Sequence, residues 1–465
     1  MTLRRGTVAR YAVGSVGTGG FATLPGLVLV FYLTDTLGVA AGVAGLLVTA
    51  AKVWDVVVDP LIGAASDRER ATTGRRRRLM VTGGVALPVF FVLTFAAPAG
   101  LAPAPSAIWV MLAYLLAATA FSLFQVPYIA LPAEIADTYD ARTRLLTARV
   151  VVLTAAILLF GGGGPALREL GGDDERLGYL LMAVAAALVL GAAMLGASTV
   201  ERSAGVRAAP TGDPVPGRNA LVHYRQGVAL LRTSRPFRTL LGAFVLQALA
   251  TGAMLAAAQY VATWVLHDTS AVTFLFVALV GPALVFAPLW GRLAHRVGKE
   301  RAFLGASALF VVASLALVGL AWAPGTWVYA PVAVAGAAYA GMQSLPMAML
   351  PDVVAHDART RGTGRAGSFG GVWTAGETTG MALGTTLLTV VLASTGYLAS
   401  TDAQAVTQPA SAVLGVVAGF SAVPALLVAA SLVPLGRYPL RRSDVDAATT
   451  DPLGPAPTPT VQENP

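Results

Sequence analysis

The chain has 465 residues, of which 56% are hydrophobic and 12% charged, with a net charge of +8 and a mean hydropathy of +0.69. Apolar segments of about 18 residues or more recur along its whole length, which excludes a single water-soluble core and indicates a polytopic membrane protein. Cysteine is absent and the four histidines are scattered. This leaves no disulfide framework, zinc cluster or cysteine nucleophile.

Apolar runs between charged or Gly/Pro-rich breaks predict twelve transmembrane helices. The first run has no small-residue cleavage site at its end, so we expect it to stay in the mature protein. The predicted helices lie near residues 11–33, 39–65, 79–97, 106–131, 145–165, 178–199, 238–265, 271–295, 302–322, 326–350, 368–394 and 409–435.

Lysine and arginine are distributed unequally between the two sets of loops. If the helices alternate across the membrane, 28 of the 32 basic residues fall on one side, Lys52 and Arg149 lie within helices, and Arg168 and Arg176 fall on the other side. The positive-inside rule therefore predicts that both termini and the 200–237 segment are cytoplasmic, in the plasma (cytoplasmic) membrane. The charge of +8 reflects this topology and contact with anionic lipid, and it requires no nucleic-acid partner.

The polar segment 200–237 divides the helices into two groups of six with matching signatures. After the second and eighth helices come Gly63-Ala-Ala-Ser-Asp67-Arg68 and Gly291-Arg-Leu-Ala-His295-Arg296, closed by Gly74-Arg-Arg-Arg and Gly298-Lys-Glu-Arg. After the fourth and tenth come Pro127-Tyr-Ile-Ala-Leu-Pro132-Ala-Glu134 and Pro346-Met-Ala-Met-Leu-Pro351-Asp352. Any one of these could simply cap and orient a helix, but four in register indicate a duplicated unit that alternates access about a midplane site.

We therefore predict four regions along the chain. Residues 1–199 form an N-terminal six-helix bundle, and residues 200–237 form a cytoplasmic linker. Residues 238–435 form a C-terminal six-helix bundle, and residues 436–465 form a disordered cytoplasmic tail that is rich in Pro, Thr and Asp.

The second predicted helix contains three charged residues within its apolar run: Lys52, Asp55 and Asp59. A charge inside a bilayer costs at least about 2.5–3.5 kcal/mol. The spacing i, i+3, i+7 puts all three side chains on one face of the helix. We therefore predict that this face points to a cavity and not to lipid.

Two carboxylates one turn apart can share a hard cation with nearby oxygens, or can hold a proton because like charges do not both ionise easily. The alternative is a neutral structural network in which Asp55 pairs with Lys52 and Asp59 pairs with Arg149. Such pairs would still belong to the gating machinery.

The loop signatures and the division into six plus six helices resemble the major facilitator superfamily. The runs Trp54-Asp55-Val-Val-Val-Asp59-Pro60, Gln125-Val-Pro-Tyr-Ile-Ala-Leu-Pro, Pro351-Asp352-Val-Val-Ala-His-Asp357 and Gly371-Val-Trp373-Thr resemble its glycoside–pentoside–hexuronide:cation symporters, the melibiose-permease family. The resemblance extends over nearly the whole chain. It implies an all-α integral membrane protein with 12 transmembrane helices in two six-helix pseudo-repeats, the major facilitator fold.

In that family the two carboxylates of the second helix bind the coupling cation, which implies Asp55 and Asp59 here, with the hydroxyl of Ser122 at the matching position one helix away. If the ion is Na⁺, the same two aspartates are its ligands. Sodium-using relatives have an amide just before the second aspartate, where this chain has Val58. One oxygen ligand fewer weakens a metal ion more than a proton, so the sequence favours H⁺ over Na⁺.

The substrate-binding pattern of the family is only partly present. The two sugar-gripping carboxylates read Gly19 and Gln125, two stacking aromatics read Ile129 and Gln343, and a lysine of the eleventh helix reads Thr378. Arg149 is kept, and its planar fork suits a pair of hydroxyls or a carboxylate. We predict that the cavity is lined by polar or aromatic side chains at membrane depth: Arg149, Gln125, Gln343, Trp373, Glu377 and Thr378. For Trp373 alone, packing is the stronger alternative.

Charged residues at the cytoplasmic corners are predicted to pair when that side closes. With the charge inside the second helix, the predicted gating residues are Lys52, Asp67, Arg68, Arg75, Arg296 and Asp352. The run Gly161-Gly-Gly-Gly164-Pro165 is predicted to end the fifth helix.

The sequence favours a secondary active transporter over an enzyme. We predict symport of a sugar, glycoside or related polar solute with H⁺ or Na⁺, by a monomer in the lipid bilayer that needs no cofactor. The alternative is a proton-coupled exporter of drug-like or lipid-like amphiphiles, which the missing cavity carboxylates and aromatics allow. A receptor or an intramembrane enzyme is the third class, but no nucleophile–base set, metal cluster or nucleotide loop supports it.

Overall fold

The computed structural model describes residues 4–136, 139–201, 231–361, 366–401 and 406–440. These residues are almost entirely helical, and one isolated bridge joins Leu37 to Thr401. The helices are α1 Arg5–Phe31, α2 Ala41–Thr73, α3 Arg77–Phe95, α4 Pro103–Ile135, α5 Tyr139–Arg168, α6 Glu175–Ala197, α7 Arg235–Trp264, α8 Ala271–Val297, α9 Lys299–Ala316, α10 Tyr329–Arg361, α11 Ala366–Ser394, α12 Ala410–Phe420 and α13 Ala422–Gly436.

All twelve predicted spans fall on helices in the described part of the chain. The last one is made of α12 and α13, which are interrupted at Ser421. By length and hydropathy, ten segments of the described chain can cross a membrane, among them the joined segment Ala410–Gly436. The predicted linker and tail fall for the most part outside the described residues, so the predicted division into four regions stays a prediction.

Several helices run further than their apolar segments. Helices α2, α4 and α10 each have 33 residues, or about 50 Å, against a hydrocarbon core of about 30 Å. α2 continues through Asp67 and Arg70 and ends only where Gly74 adopts φ of 69° and donates its N–H to the Arg70 carbonyl. The predicted span near 39–65 therefore covers the apolar part of α2, and the helix continues beyond it through charged residues.

The prediction that Gly161 to Pro165 ends the fifth helix was wrong. α5 continues through Pro165 to Arg168. The glycines serve close packing: a Cβ at Gly161 would overlap the Phe276 ring of α8, and one at Gly164 would overlap Leu24 of α1. Thr273 of α8 donates its hydroxyl to the Gly162 carbonyl at 3.1 Å, so this glycine run is an interhelical contact.

Two bundles of helices pack side by side. In the first, α1 packs on α5 and α6, and α3 packs on α4 and α6; in the second, α7 packs on α11 and α13, and α10 packs on α8 and α9. The bundles meet where α2 contacts α11, α5 contacts α8 and α1 contacts α7. In two six-helix repeats α2 corresponds to α8, and α5 corresponds to α11. The contact of α2 with α11 is therefore the counterpart of the contact of α8 with α5, as expected for a duplicated six-helix unit.

Candidate functional site

The charged face of α2 forms one end of the candidate site. The Lys52 ammonium lies 3.0 Å from Asp55 Oδ2, one turn along the helix, and the two side chains are 32% and 21% exposed. The pairing considered as an alternative for Lys52 and Asp55 is therefore present. Asp55 keeps its second oxygen for another partner.

Asp59 differs from Asp55 in its surroundings. It is exposed, its carboxylate interacts with the hydroxyl of buried Ser122 on α4, and it also senses the charges of Asp55 and Lys52. No ion pair between Asp59 and Arg149 occurs among the residues that the structure describes. The second half of the alternative network is thus not formed, and Asp59 has no ion pair among the described residues.

Two neighbours of this face were missed by the sequence analysis. Tyr114 of α4 interacts electrostatically with Lys52 and Asp55, and the Trp54 indole donates to Thr119 Oγ1 at 2.9 Å. Both contacts join α2 to α4. Side chains that approach from a different helix leave no periodic signal in the sequence of α2, so no pattern could have identified them.

The predicted substrate residues of the first bundle lie on three helices. Thr18 of α1 donates its hydroxyl to Gln125 Oε1 on α4 at 2.7 Å, which leaves the Gln125 amide N–H groups for a ligand. The Arg149 guanidinium of α5 lies 5.7 Å from the centroid of the Tyr128 ring. Arg149 Nε is buried without a hydrogen-bond partner, and an unpaired buried donor favours any ligand that supplies an acceptor.

Facing polar groups come from α10 and α11. Gln343 Nε2 donates to the Tyr339 hydroxyl at 3.1 Å, and Tyr339 interacts electrostatically with Glu377. Glu377 is half-buried and has no ion-pair partner in the described part of the chain. Thr378 is exposed, and its hydroxyl donates to the Thr374 carbonyl of its own helix at 2.9 Å. Together these residues supply acceptors more than donors.

Trp373 does not belong with these cavity residues. It is 2% exposed and stacks on Phe244 of α7 with ring centroids 4.3 Å apart. Its indole nitrogen is buried without a partner. The structure thus places Trp373 in the packing between α7 and α11 and not among the cavity-lining residues. Packing was the alternative that the sequence analysis gave for this residue.

A contact between the bundles relates the depth of the α2 aspartates to that of Glu377 on α11. Thr49 of α2 and Thr386 of α11 have hydroxyls 2.6 Å apart. Asp55 and Asp59 lie about 9–15 Å from Thr49 along α2, and Glu377 lies about 13 Å from Thr386 along α11, in the same direction. Asp55, Asp59 and Glu377 therefore lie at similar depth, on the same side of the Thr49–Thr386 contact.

The end of the protein away from the arginine-rich loops is closed around Asp35. This carboxylate lies in a π-helical turn, Tyr32–Thr36, after α1 and is 6% exposed. Asp35 Oδ1 accepts from the Tyr397 hydroxyl at 2.5 Å and from the Trp264 indole at 3.0 Å, both in the second bundle. Ser400 donates its backbone N–H to the Thr34 carbonyl at 2.9 Å. Asp35 thus joins the bundles through neutral donors, and sequence reasoning missed it because it lies at the edge of an apolar run.

A second contact closes the same end. Arg168 donates to the Tyr179 hydroxyl at 3.1 Å and lies against the Phe31 ring. With its amide assigned to face the guanidinium, Gln259 of α7 accepts from both terminal nitrogens of Arg168 at 3.1 Å. Arg168 therefore joins α5 to the second bundle.

The predicted gating residues at the opposite end lie within their own bundles. Asp67 pairs with Arg76 at 2.7 Å, and Asp352 pairs with Lys299 at 2.6 Å. Arg68, Arg75 and Arg296 are exposed. Burial raises the pKa of Glu201, which accepts the Arg76 backbone N–H at 2.9 Å, and burial with the charges of Asp352 and Glu300 raises the pKa of Tyr438. The gating role predicted for Asp67, Arg68, Arg75, Arg296 and Asp352 stays a prediction.

Comparison with known proteins agrees with this architecture. The family model described as MFS/sugar transport protein matches residues 10–442. The inner membrane symporter YicJ of Escherichia coli strain K12 is 26% identical over 419 residues, covering 89% of this chain and 86% of its own. The glucuronide carrier protein homolog of the same organism is 24% identical over 447 residues, covering 93% and 92%.

Solved structures share the fold at low sequence identity. A bacterial homologue of the human lysosomal transporter Spinster, in an inward-facing and unoccupied conformation, superposes with a TM-score of 0.65 at 14% identity, covering 97% of this chain and 98% of its own. This likeness shows the fold. The match over residues 10–442 shows the family: this chain belongs to the MFS/sugar transport proteins of the major facilitator superfamily and is a membrane transporter, not an enzyme.

Proposed function

We propose that the protein is a symporter that carries one monovalent cation together with one neutral, hydroxyl-rich solute, such as a sugar or glycoside, by alternating access. One observation carries the proposal: the balance between acidic and basic side chains in the candidate site. In the described residues these side chains are Lys52, Arg149, Asp55, Asp59 and Glu377. With all five ionised, two positive and three negative charges leave one negative charge.

An occluded cavity with an unbalanced charge is unfavourable, because its low dielectric offers no water to screen the charge. One bound cation with a neutral solute brings the cavity to zero charge. A solute with one carboxylate, such as a glucuronide, would need two cations. The charge balance therefore supports a neutral substrate with one coupling ion.

The positions of the two aspartates support H⁺ as that ion. Lys52 already occupies one oxygen of Asp55, and Asp59 has the Ser122 hydroxyl beside it. Sodium prefers several oxygen ligands, and Val58 supplies none. A proton needs only one carboxylate, so Asp59 is the proposed carrier.

Polar groups on both walls suit a solute that has many hydroxyls. On the first bundle the free donors are the Gln125 amide and Arg149 Nε, and on the second bundle Glu377 is a free acceptor. A sugar hydroxyl both donates and accepts, so neighbouring hydroxyls of one ring could engage both walls. Closure of the bundles around such a ligand is the proposed occlusion step.

The positive-inside rule supports an inward-facing assignment of this state. The arginine-rich loops would face the cytoplasm, and Asp35 would close the outer side. In the proposed cycle the cavity releases its solute and proton to the cytoplasm from this state. Separation of Asp35 from Tyr397 and Trp264 would open the outer side.

Uptake into proteoliposomes of one orientation tests the proposal. A panel of labelled neutral glycosides and their uronic-acid counterparts is supplied outside under an imposed inward H⁺ or Na⁺ gradient. We expect a neutral member to accumulate under the H⁺ gradient, with one charge moved per solute. Accumulation of uronic acids alone, or loss of dye from preloaded vesicles without any uptake, would contradict the proposal, and the second result would favour an exporter.

A further inference from the structure

A cavity on the arginine-rich side lies between the start of α7 and the end of α13, and none of its lining residues belongs to the candidate transport site. It has a volume of about 490 Å³ and is lined by Arg235, Arg238, Thr239, Pro434 and Arg437. Three of its five lining residues are arginines, and no carboxylate of the described residues lines it. Such a wall has strong complementarity to a phosphate group.

The arginines are not satisfied by the protein itself. Arg238 donates to the Leu231 carbonyl at 3.3 Å. Arg235 and Arg437 have no ion pair among the residues that the structure describes, and both are exposed. The acidic residues Asp352 and Glu300 act on the neighbouring Tyr438, and Asp352 is paired with Lys299 at 2.6 Å. Within the described part of the chain, the positive charge of the cavity is therefore not neutralised by an ion pair.

Apolar surface continues from the cavity toward the bilayer. On α13, Val433 is 55% and Leu426 is 68% exposed, and their spacing of 7 residues puts both on one face of the helix, which ends just before Arg437. On α7, Gly242 follows Arg238 by one turn, and a Cβ added there would meet no atom within 4 Å. The arginines thus stand at one end of an exposed apolar surface, called the furrow below, that is formed by Gly242 of α7 and by Val433 and Leu426 of the adjacent α13.

We propose that this cavity binds the headgroup of an anionic diacyl phospholipid, with an acyl chain along the furrow at Gly242 and Val433. The arginines bind the phosphate, and the furrow is the reason to assign a lipid and not a free phosphate. The bound lipid would bridge the first and last helices of the second bundle. Basic pockets at helix ends on the cytoplasmic side suit such headgroups.

Native mass spectrometry of the full-length protein in neutral detergent tests the proposal, with phosphatidylglycerol and phosphatidylcholine as probes. We expect preferential retention of phosphatidylglycerol, which weakens by about fivefold for each arginine removed in R235Q/R238Q/R437Q. The matched control R4Q/R5Q/R10Q removes three arginines from the same side of the first bundle and should retain the lipid. Equal retention of both lipids, or equal losses in the two triple variants, would overturn the proposal.

A second variant separates the lipid from a free phosphate. Gly242→Leu fills the furrow and leaves every charge in place, so it should weaken phosphatidylglycerol retention. Displacement of phosphatidylglycerol by millimolar inorganic phosphate, with no effect of Gly242→Leu, would assign the cavity to a free anion and overturn the lipid assignment. If the triple variant does not fold, the single Arg437→Gln change at the exposed end of α13 decides, and unchanged retention in it counts against the proposal.

Discussion

The hydroxyl of Tyr397 donates to Asp35 Oδ1 at 2.5 Å across the interface between the two bundles. Asp35 lies directly after α1, and Tyr397 follows the end of α11, 362 residues further along the chain. Because the carboxyl group is buried and also accepts from Trp264, separation of the bundles breaks several hydrogen bonds at once. This pair is therefore a direct point at which to weaken the closed end.

The first prediction concerns this closed end. Tyr397→Phe removes one donor to the buried Asp35 carboxyl group, a loss worth about 1–3 kcal/mol, and keeps the ring. We expect the population with the outer side open to rise by roughly tenfold or more. The chain has no cysteine, so a single Thr386→Cys reports access, and an impermeant maleimide added from outside should label it faster in the Tyr397→Phe background.

The matched control is Tyr438→Phe, which removes a buried tyrosine hydroxyl at the opposite end. It should leave labelling from outside unchanged. Equal labelling rates with Tyr397 and with Phe at this position would show that the hydroxyl does not hold the outer side closed.

The second prediction tests the charge balance of the cavity. Asp59→Asn and Asp55→Asn each remove one negative charge, so the remaining two positive and two negative side chains of the candidate site sum to zero without a cation. We expect both variants to lose uphill accumulation and to keep downhill flux, since the walls that bind the solute are unchanged. Normal accumulation against a gradient in both variants would contradict the coupling assignment.

The double variant Lys52→Met/Asp55→Asn sharpens this test. Removal of the ion pair restores the single negative charge and leaves Asp59 as carrier, so accumulation should return. Lys52→Met alone leaves a second unbalanced carboxylate and should be worse than the double variant, as expected when one partner of a buried pair is lost. A double variant as inactive as Asp55→Asn would mean that Asp55 itself carries the ion.

The third prediction concerns substrate affinity. Arg149→Lys keeps the positive charge and loses the planar fork, including the buried Nε that has no partner in the protein. We expect the apparent affinity to fall by about tenfold or more while the maximal rate changes less. Concentration dependence of uptake measures both, and an unchanged affinity in well-inserted protein would assign Arg149 to the scaffold.

The fourth prediction concerns stability against pH. Burial raises the pKa of Glu201 above its ordinary value of 4.5, so the folded protein holds this proton more tightly than the unfolded chain does. Proton binding by Glu201 therefore adds to the free energy of unfolding below pH 4.5, and this stabilisation is lost as the pH rises through the raised pKa. Glu201→Gln should melt at a higher temperature than the wild type at neutral pH, with the difference vanishing in acid. A constant difference at all pH values would exclude this linkage.

Much of the architecture could be predicted because a bilayer imposes strong rules. All twelve predicted spans fall on helices, and the loop charges separate the two sides. The helix ends were not predicted by the apolar runs: hydropathy stops at the membrane surface, whereas α2 runs on to Gly74. The glycine run in α5 was misread as an end because glycine serves turns and close packing alike, and only the position of Phe276 tells them apart.

The candidate site could be predicted where one helix carries it. The spacing of Lys52, Asp55 and Asp59 was enough to predict that they share a face of α2. The structure adds that Lys52 forms an ion pair with Asp55. Trp373 shows the limit of this kind of prediction. Its residue type and its depth in the membrane do not identify Phe244 as the residue on which its ring packs. Asp35 was missed because it lies at the edge of an apolar run and because its partners Trp264 and Tyr397 come from the other bundle. Contacts of that kind depend on tertiary packing.

The last prediction concerns the coupling ion. Val58 precedes Asp59 on α2 and contributes no oxygen, and Lys52 already occupies one oxygen of Asp55. We therefore expect transport to follow a pH gradient and to respond little to sodium. Val58→Asn would add an amide oxygen beside Asp59, and we expect it to increase sodium stimulation of uptake at fixed pH. Val58→Leu is the matched control, because it changes size without adding a ligand. Strong, saturable sodium dependence of the unmutated protein at fixed pH would reverse the assignment, and Asp59 with Ser122 would then be the first ligands to examine for Na⁺.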